Sequence, residues 1–419
     1  MIFYFLYILF SPIVIILILF LSLFNKKIRL KLFNDIPSRK RAFKHVKKYK
    51  ENKELIIFHA ASAGEFEQLK PILKKIDKEK YFIIQSFTSP TIFNKEKNTV
   101  FADAVCYQPF DFKWLSIFFF KYLNPDKYII TRHDIWPNHI ITASHMGISC
   151  ILINANIHNN SIWMHPLLNT LSKKIFNCFD LILVPSNTIK NILQKLDLKS
   201  QIKIAGDSRF NQIVNRYNMN KNKNLLPNSF EKSTNLIFGS IDAKDEKCIF
   251  QAIKKLYPNG ETDLKTKNTK IILVPHEIDI QTIKRLSQNL KQNNFEYSFF
   301  TKLSADTDHR VLIIDKVGIL ADLYKYGQVA YVGGGFARGV HSVIEPAIYN
   351  AYIGFGPNIE MSDEAKELLK NNFAKSIYDS KDMYDFLNFN YNNKQTLDLH
   401  NFIINKAKAS EDMLKLILQ

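Results

Sequence analysis

Short apolar runs alternate with longer amphipathic stretches along most of the chain, and this alternation constrains the fold more than any other feature. Runs of buried-strand length occur at ELIIF (54–58), YFIIQ (81–85), KYIIT (127–131), CILIN (150–154), LILV (181–184), IKIA (202–205), NLIFG (235–239), KIILV (270–274), VLII (311–314), QVAYV (328–332) and AYIGF (351–355). Helix-period stretches separate several of them; Phe66, Leu69 and Ile76, for example, share one helical face. Such a pattern predicts an α/β fold with parallel sheets covered on both faces.

A polar stretch rich in Asn and Lys, residues 212–234, divides these runs into two groups. Its composition indicates a linker. We therefore predict a first Rossmann-like domain at 26–211 and a second at 235–419. Ligands of such sheets bind beyond the carboxyl ends of the strands, so we expect the two domains to face a cleft.

The first residues form a candidate membrane anchor at 1–25. No charged side chain occurs from Met1 to Phe24, and ~20 apolar residues are enough to cross a bilayer as a helix. A basic flank follows, made of Lys26, Lys27, Arg29, Lys31, Arg39, Lys40 and Arg41. This flank predicts that the rest of the chain stays on the cytoplasmic face. A signal peptide is disfavoured because a basic n-region and a small-residue cleavage site are both missing, while Pro12 leaves a kinked or interfacial helix open.

The formal net charge of +18 points to an anionic partner. Nucleic acid, an anionic membrane and an anionic substrate are the three classes to consider, beside the alternative that many lysines are simply solvated. We recognise no nucleic-acid motif and therefore expect no nucleic-acid partner. The four scattered cysteines fit a reducing compartment. Because the histidines show no metal-ligand spacing, we expect no metal and no cofactor.

The clearest constellation in the second half is YVGGGFARGVHSVIEPA, residues 331–347. Successive glycines after a strand allow positive φ and close backbone approach, and a following helix start offers N–H groups to an anion. We predict that His341 and Glu345, four residues apart, share a helix face. Glu345 would then accept hydrogen bonds from ribose hydroxyls, and the loop and Arg338 would contact a phosphate. The alternative is a tight strand-to-helix turn with His341 packed or solvated.

An equivalent junction in the first half is HAASAGE, residues 59–65, which carries a lone acid, Glu65, in a first helical turn. The helix dipole favours an acid there in any case, so composition alone favours a solvated Glu65. The same dipole would lower its pKa and keep it ionised, as a general base requires. Arg132 and Arg209 also stand at strand ends. Alone, each is more often a surface arginine than a ligand.

Taken together, these segments give the chain a resemblance to the 3-deoxy-D-manno-octulosonic acid (Kdo) transferases, inner-membrane enzymes that add Kdo to the lipid A precursor. The match is collinear over nearly the whole chain. It comprises HAASAGE for the family's HxxSxGE, FTSPT for TxTPT, YQPFD for YLPxD, DIWPN for ExWPN, INANI for the NAR segment, AGDSRF for GxxK/RF, VPHE for VPRH, and GGGFARGVHSVIEPA for GGxxxxGxHNxLEPA.

The resemblance implies a GT-B fold, with the acceptor bound by the first domain and CMP-Kdo mainly by the second. It implies inverting transfer without metal, with Glu65 as the catalytic base and Arg209 stabilising the transition state. Ser62 and Gly64 lie on the acceptor side. The CMP-Kdo contacts that it implies are Pro275, His276, Val317, Gly318, Ile319, Arg338, Gly339, His341, Ser342 and Glu345. The expected partners are CMP-Kdo, the lipid A precursor and the anionic inner-membrane leaflet.

The sequence departs from the family pattern at three of these positions. Arg132 stands where many members carry a glutamate assigned to transition-state stabilisation. The replacement reverses the charge, so the glutamate's role does not carry over directly, although Arg132 stays a candidate catalytic residue by its position. Ser342 replaces an asparagine and His276 replaces an arginine. Two alternatives stay open: another GT-B transferase that moves a UDP-sugar to a lipid, and a catalytically decayed homologue that binds envelope lipid.

Overall fold

The computed structural model describes residues 2–304, 309–388 and 398–419. It contains two compact units. The first comprises Met1–Gln212 with Lys406–Gln419, and the second comprises Ile213–Asn405. Each unit is built around its own parallel sheet.

The sheet of the first unit has seven strands in the order β3-β2-β1-β4-β5-β6-β7, and every pair is parallel. The strands are β1 Glu54–Ala60, β2 Tyr81–Phe87, β3 Ala104–Tyr107, β4 Lys127–Thr131, β5 Ser149–Ile153, β6 Leu181–Val184 and β7 Gln201–Ile204. The helices are α1 Ile2–Leu9, α2 Ser11–Phe24, α3 Lys26–Tyr49, α4 Ala63–Leu73, α5 Pro90–Glu96, α6 Lys113–Leu123, α7 Pro137–His145, α8 Asn169–Phe176 and α9 Asn187–Gln194, with 3₁₀ turns at Ile162–Met164 and Pro166–Leu168. Side chains from both sheet faces form the cores, as predicted for apolar strands.

The sheet of the second unit also has seven parallel strands, in the order β10-β11-β9-β8-β12-β13-β14. They are β8 Thr234–Ile241, β9 Thr269–Pro275, β10 Tyr297–Phe299, β11 Val311–Ile313, β12 Val329–Val332, β13 Tyr352–Phe355 and β14 Ala374–Ser376. The helices that follow α9 in the chain are α10 Ser208–Asn220, α11 Asn228–Glu231, α12 Ala243–Leu256, α13 Glu261–Thr266, α14 Ile280–Gln292, α15 Leu320–Leu323, α16 Ile344–Ala347, α17 Asp363–Lys370, α18 Ser380–Leu387 and α19 Leu399–Lys406, with 3₁₀ turns at Phe300–Lys302 and Tyr324–Tyr326.

The domain boundaries differ from those predicted. The stretch 212–234 is not an unstructured linker, because it holds most of α10 and all of α11, and Phe230 is buried. The last helix, α20 (Ala409–Leu418), belongs to the first unit although it follows the second in sequence. Its Met413 and Ile417 are buried in the core on one face of the first sheet. Hydrophobic burial therefore decides its place.

The N-terminal apolar segment folds as two helices. No single helix among the described residues is long and apolar enough to cross a membrane, whereas Phe3–Leu9 and Ser11–Phe24 together meet that requirement with a bend of 51° between them. Pro12 stands in the first turn of α2, where its missing N–H helps to separate the two helices. Part of the basic flank lies inside the unit: Lys31 and Arg39 are buried, and Arg39 pairs bidentately with Asp35 at 3.0 Å.

Candidate active site

Glu65 closes a reciprocal hydrogen-bonded cap at the start of α4. Ser62 Oγ accepts the N–H of Glu65 at 3.3 Å, and Glu65 Oε2 accepts the N–H of Ala61 at 2.5 Å and of Ser62 at 3.2 Å. The Glu65 side chain is buried, with only 5% of the residue exposed. It is therefore not the solvated acid that composition favoured. Among the described residues no hydrogen bond engages Oε1, which leaves that oxygen for a substrate hydroxyl.

The environment of Glu65 sets its pKa in the direction opposite to our prediction. Burial raises the pKa of Glu65, and the nearby Asp134 carboxylate adds to the rise. The N–H of Ala61 opposes this rise. The prediction of a lowered pKa was wrong because desolvation outweighs the helix start. A raised pKa makes Glu65 a stronger base once it is ionised.

A buried polar network surrounds this carboxylate. His59 Nε2 lies 2.7 Å from Asp134 Oδ2, and His59 Nδ1 lies 2.9 Å from Ser86 Oγ. Thr88 Oγ1 donates to Asp134 Oδ2 at 3.3 Å and lies 3.4 Å from His59 Nε2. Burial alone would raise the pKa of Asp134, but its hydrogen bonds to His59 and others lower it to about 2. Asp134 is therefore an anion beside Glu65, at the carboxyl ends of β1, β2 and β4.

The two arginine candidates of the first unit lie near the same carboxylate, Asp207. Arg209 Nε donates to Asp207 Oδ2 at 2.8 Å. Burial would raise the pKa of Asp207, but Arg209 and, more weakly, Arg132 hold it below its usual value. Arg132 has a φ of 69°, and its N–H donates to the Ile153 carbonyl at 2.9 Å. Asp207 therefore neutralises part of the positive charge that the two arginines bring to this region.

In the second unit, the glycine-rich loop folds back on itself between β12 and α16. Gly334 has a φ of 88°, and a Cβ there would lie 2.5 Å from the Gly339 carbonyl oxygen. The N–H of His341 donates to the Gly333 carbonyl at 3.1 Å. The predicted helix carrying both His341 and Glu345 is therefore wrong, because α16 begins only at Ile344, after His341. The loop hydrogen bonds hold His341 outside the helix.

His276 and His341 form a stacked pair in this unit. Their ring centroids lie 4.4 Å apart with an interplanar angle of 19°. The N–H of His276 donates to the Ile241 carbonyl at 2.9 Å, which fixes the residue directly after β9. Burial and the neighbouring His276 lower the pKa of His341. The pair therefore offers imidazole nitrogens beside the loop, and an anion bound there would favour protonation of His341.

Glu345 lies near a partly buried ion pair that the sequence did not predict. Arg216 pairs bidentately with Asp322 at 3.0 and 3.1 Å and donates to the Gly318 carbonyl at 3.0 Å. Burial raises the pKa of Glu345 to about 7, although Arg216 opposes the rise. Arg216 therefore donates a hydrogen bond to Gly318 and acts electrostatically on Glu345. Both residues are among the predicted contacts of the donor CMP-Kdo. Arg216 escaped prediction because its segment resembled a linker.

The remaining predicted residues lie in loops around these groups. Pro275 ends β9, Ile319 caps α15, and Val317 is exposed to 77%. Arg338 is exposed, Gly339 has a φ of 135°, and Ser342 is half-buried. On the acceptor side Ser62 is the N-cap of α4, and a Cβ on Gly64 would meet nothing within 4 Å. Among the described residues, no group of His, Cys, Asp or Glu is arranged to hold a metal ion.

One family profile and several curated proteins are similar to this chain in sequence. The profile described as 3-deoxy-D-manno-octulosonic-acid transferase matches residues 37–212. A Kdo transferase of Chlamydia muridarum is 25% identical over 75% of this chain and 73% of its own length. One from Aquifex aeolicus is 28% identical over 75% of this chain and 80% of its own. The profile match spans the Glu65, Asp134 and Arg209 segments.

The fold is shared with more distant proteins. UDP-GlcNAc 2-epimerase from Neisseria meningitidis, solved with UDP-GlcNAc bound, has a TM-score of 0.61 and 12% identity and covers 87% of this chain and 99% of its own. At this identity the likeness concerns the fold alone, which is GT-B-like with two parallel α/β sheets. The chain is therefore a glycosyltransferase of this fold and a homologue of the Kdo transferases.

Proposed function

We propose that the chain transfers Kdo from CMP-Kdo to a hydroxyl of a lipid A precursor, with inversion at the anomeric carbon and without a metal ion. One observation carries the proposal: within the segment that matches the family, the buried Glu65 carboxylate keeps Oε1 free of hydrogen bonds from other described residues. The backbone N–H groups hold its other oxygen, so the orientation of the base is set before substrate arrives.

In this mechanism Glu65 Oε1 takes the proton of the acceptor hydroxyl as that oxygen forms a bond to the anomeric carbon of Kdo. The bond between that carbon and the phosphate oxygen breaks at the same time, and CMP leaves as an anion. Burial raises the pKa of Glu65 and Asp134 adds to the rise, which increases the strength of Glu65 as a base. His59 is held by Asp134 and Ser86 and orients the network.

For the donor, we propose that CMP-Kdo is bound by the second unit. The glycine-rich loop provides close backbone approach, and the stacked His276 and His341 are the candidates to meet the phosphate. Glu345 is the candidate to accept hydrogen bonds from the ribose hydroxyls. In support, Arg216 acts electrostatically on Glu345 and donates to the carbonyl of Gly318, another predicted donor contact. Arg209 and Arg132 stay candidates for stabilising developing negative charge.

We further propose an inner-membrane location with the catalytic units on the cytoplasmic face. The apolar α1–α2 segment provides the hydrophobic contact, and exposed lysines near it gain ~1 kcal/mol each beside anionic lipid. After deletion of residues 1–25, we expect vesicle binding that weakens as salt increases. Salt-insensitive binding would contradict the electrostatic part of this account.

The decisive experiment is transfer in vitro from CMP-Kdo to a tetra-acylated lipid A precursor, with the product followed by mass spectrometry. A mass increase by whole Kdo units supports the proposal and counts the additions. Displacement of bound CMP is measured in parallel with UDP as competitor. Preferential UDP binding would favour the UDP-sugar alternative.

Complementation separates an active enzyme from a decayed homologue. A strain deficient in its own Kdo transferase should be rescued by the wild-type chain and not by Glu65→Ala. Lack of rescue by a stably expressed, membrane-bound wild type would favour the decayed homologue. Equal rescue by both would remove Glu65 from the mechanism.

A further inference from the structure

The first unit contains a cavity of about 440 Å³, within the usual size range of small-ligand sites. Its walls come from the N-terminal helices and from the loops that follow β2, β3 and β4. Most of the lining side chains are apolar; they include Tyr7, Val14, Ile18, Ile28, Phe110 and Trp136. A cavity of this composition favours a hydrocarbon occupant over a sugar or a nucleotide.

Two tyrosines fasten the N-terminal wall of this cavity to the unit. Tyr4 Oη donates to Asn138 Oδ1 at 2.9 Å, and Tyr7 Oη donates to Asp111 Oδ2 at 2.8 Å. Asp111 also accepts the N–H of Asn138 at 3.1 Å and of His139 at 3.0 Å. The α1 helix is therefore attached to the same loops that carry the YQPFD and DIWPN segments, which makes it a built part of the cavity.

The cavity also has a cationic side. Lys31 is 8% exposed, and its Nζ lies 4.5 Å from the centroid of the Phe110 ring. Burial lowers the pKa of Lys31 to about 8, while Asp35 and Asp134 oppose that decrease and Arg39 adds to it. Lys27 lines the cavity as well and is exposed. An occupant that fits both features has a hydrocarbon tail and a negatively charged head.

Thr88 connects this cavity to the Glu65 site. It lines the cavity, and its Oγ1 lies 3.3 Å from Asp134 Oδ2 and 3.4 Å from His59 Nε2. Both of these residues act electrostatically on Glu65. A head group near Lys31 would therefore be next to the network that surrounds the candidate base.

We propose that the cavity holds one acyl chain of the lipid acceptor, with Lys31 facing the acceptor's anionic head group. The N-terminal segment is then a wall of the acceptor site in addition to any contact it makes with the membrane. This inference rests on the proposed function, because it names how the lipid acceptor reaches Glu65.

The kinetic test compares two substitutions on α2. Ile18 lines the cavity, whereas Ile16 is 67% exposed and does not line it. We expect Ile18→Trp in the full-length chain to raise the KM for the acylated acceptor at least about tenfold, which is about 1.4 kcal/mol. Its KM for a de-O,N-acylated acceptor should stay unchanged, and Ile16→Trp should change neither. Equal effects of the two substitutions on the acylated acceptor would overturn the proposal.

A binding test is independent of Kdo transfer. With Trp114 and Trp163 replaced by Phe, Trp136 is the last of the three tryptophans and lines the cavity. Monomeric dodecyl phosphate brominated on its chain should quench Trp136 fluorescence. Lys31→Met should weaken this quenching about tenfold and leave quenching by a brominated neutral alcohol unchanged. Quenching without Kdo transfer would support binding of an acyl chain in the cavity and refute the proposed function. Kdo transfer without quenching would refute binding of an acyl chain in the cavity.

Discussion

Replacement of Glu65 by glutamine or by alanine separates two roles that its position combines. The carboxylate caps the start of α4 through the N–H groups of Ala61 and Ser62, and it is the candidate base. Glutamine retains an oxygen that can accept both hydrogen bonds, as capping boxes with Gln do, but it cannot take a proton. Alanine removes both functions. Glu67, a half-buried acid on the same helix that pairs with Lys70 at 2.7 Å, provides the control substitution Glu67→Gln.

The structure gives the expected sizes of the two effects. In Glu65→Ala, two backbone donors lose their acceptor in a buried region, which costs about 1–3 kcal/mol. In Glu65→Gln, the hydrogen bonds remain and a buried charge disappears. Because burial raises the pKa of Glu65, its stabilising contribution is present below the unfolded pKa and is lost as pH rises through the folded pKa. Glu65→Gln should therefore be neutral or stabilising at neutral pH.

The assays are thermal unfolding and initial-rate transfer from CMP-Kdo. Glu65→Ala should lower Tm by about 2–4 °C per kcal/mol lost, while Glu65→Gln should equal or exceed the wild type. Both should lower kcat about 10²–10⁴-fold, which is typical of a lost general base. Glu67→Gln, which removes only the ion pair with Lys70, should leave kcat unchanged. A Glu65→Gln variant with wild-type kcat would refute the assignment of Glu65 as the general base. Equal destabilisation by Glu65→Gln and Glu65→Ala would refute the stabilising contribution of the cap.

Three further predictions concern the neighbouring groups. Gly334→Ala should abolish CMP binding and lower Tm, measured by calorimetry, because its Cβ would lie 2.9 Å from the His341 ring at a φ of 88°. Glu345→Gln should flatten the pH dependence of unfolding: with a folded pKa of about 7, the wild type loses stability from the unfolded pKa up to that value, by at most about 1.4 kcal/mol per pH unit. An unchanged profile would contradict the raised pKa. Asp207→Asn removes the carboxylate that pairs with Arg209. It should change the Kd of CMP-Kdo more than the Kd of CMP if Arg209 contacts the reacting centre, and equal changes would exclude that role.

The central strands were predictable from sequence, and the strands it missed share a physical cause. Every apolar run named in the sequence corresponds to a strand, with ends that differ by one or two residues. The missed strands, β3, β10 and β14, all lie at a sheet edge. They are short, and the side chains of β10 and β14 are only half-buried. An edge strand packs against one neighbour, so its sequence need not be continuously apolar.

The candidate site residues were predicted from motifs one at a time, and their contacts with one another were not predicted. The motifs identified Glu65, Arg209 and the glycine-rich loop, whereas the contact between His59 and Asp134 joins residues 75 positions apart in the chain. Arg216 lay in a stretch whose composition indicated a linker, yet it pairs with Asp322. Local composition carries no information about such pairings, because they join residues that come together only when distant segments pack in the folded unit.

The direction of the Glu65 pKa shows why this matters for mechanism. A helix start alone favours an ionised, weakly basic acid, and that reasoning used only neighbours in sequence. The folded unit adds burial and the Asp134 anion, and together they outweigh the helix start. The same two hydrogen bonds that make Glu65 a cap fix one oxygen in place and direct the other outward. We therefore expect capping to favour the proposed role of Glu65 as base, because an oriented carboxylate loses less conformational freedom when it accepts the proton.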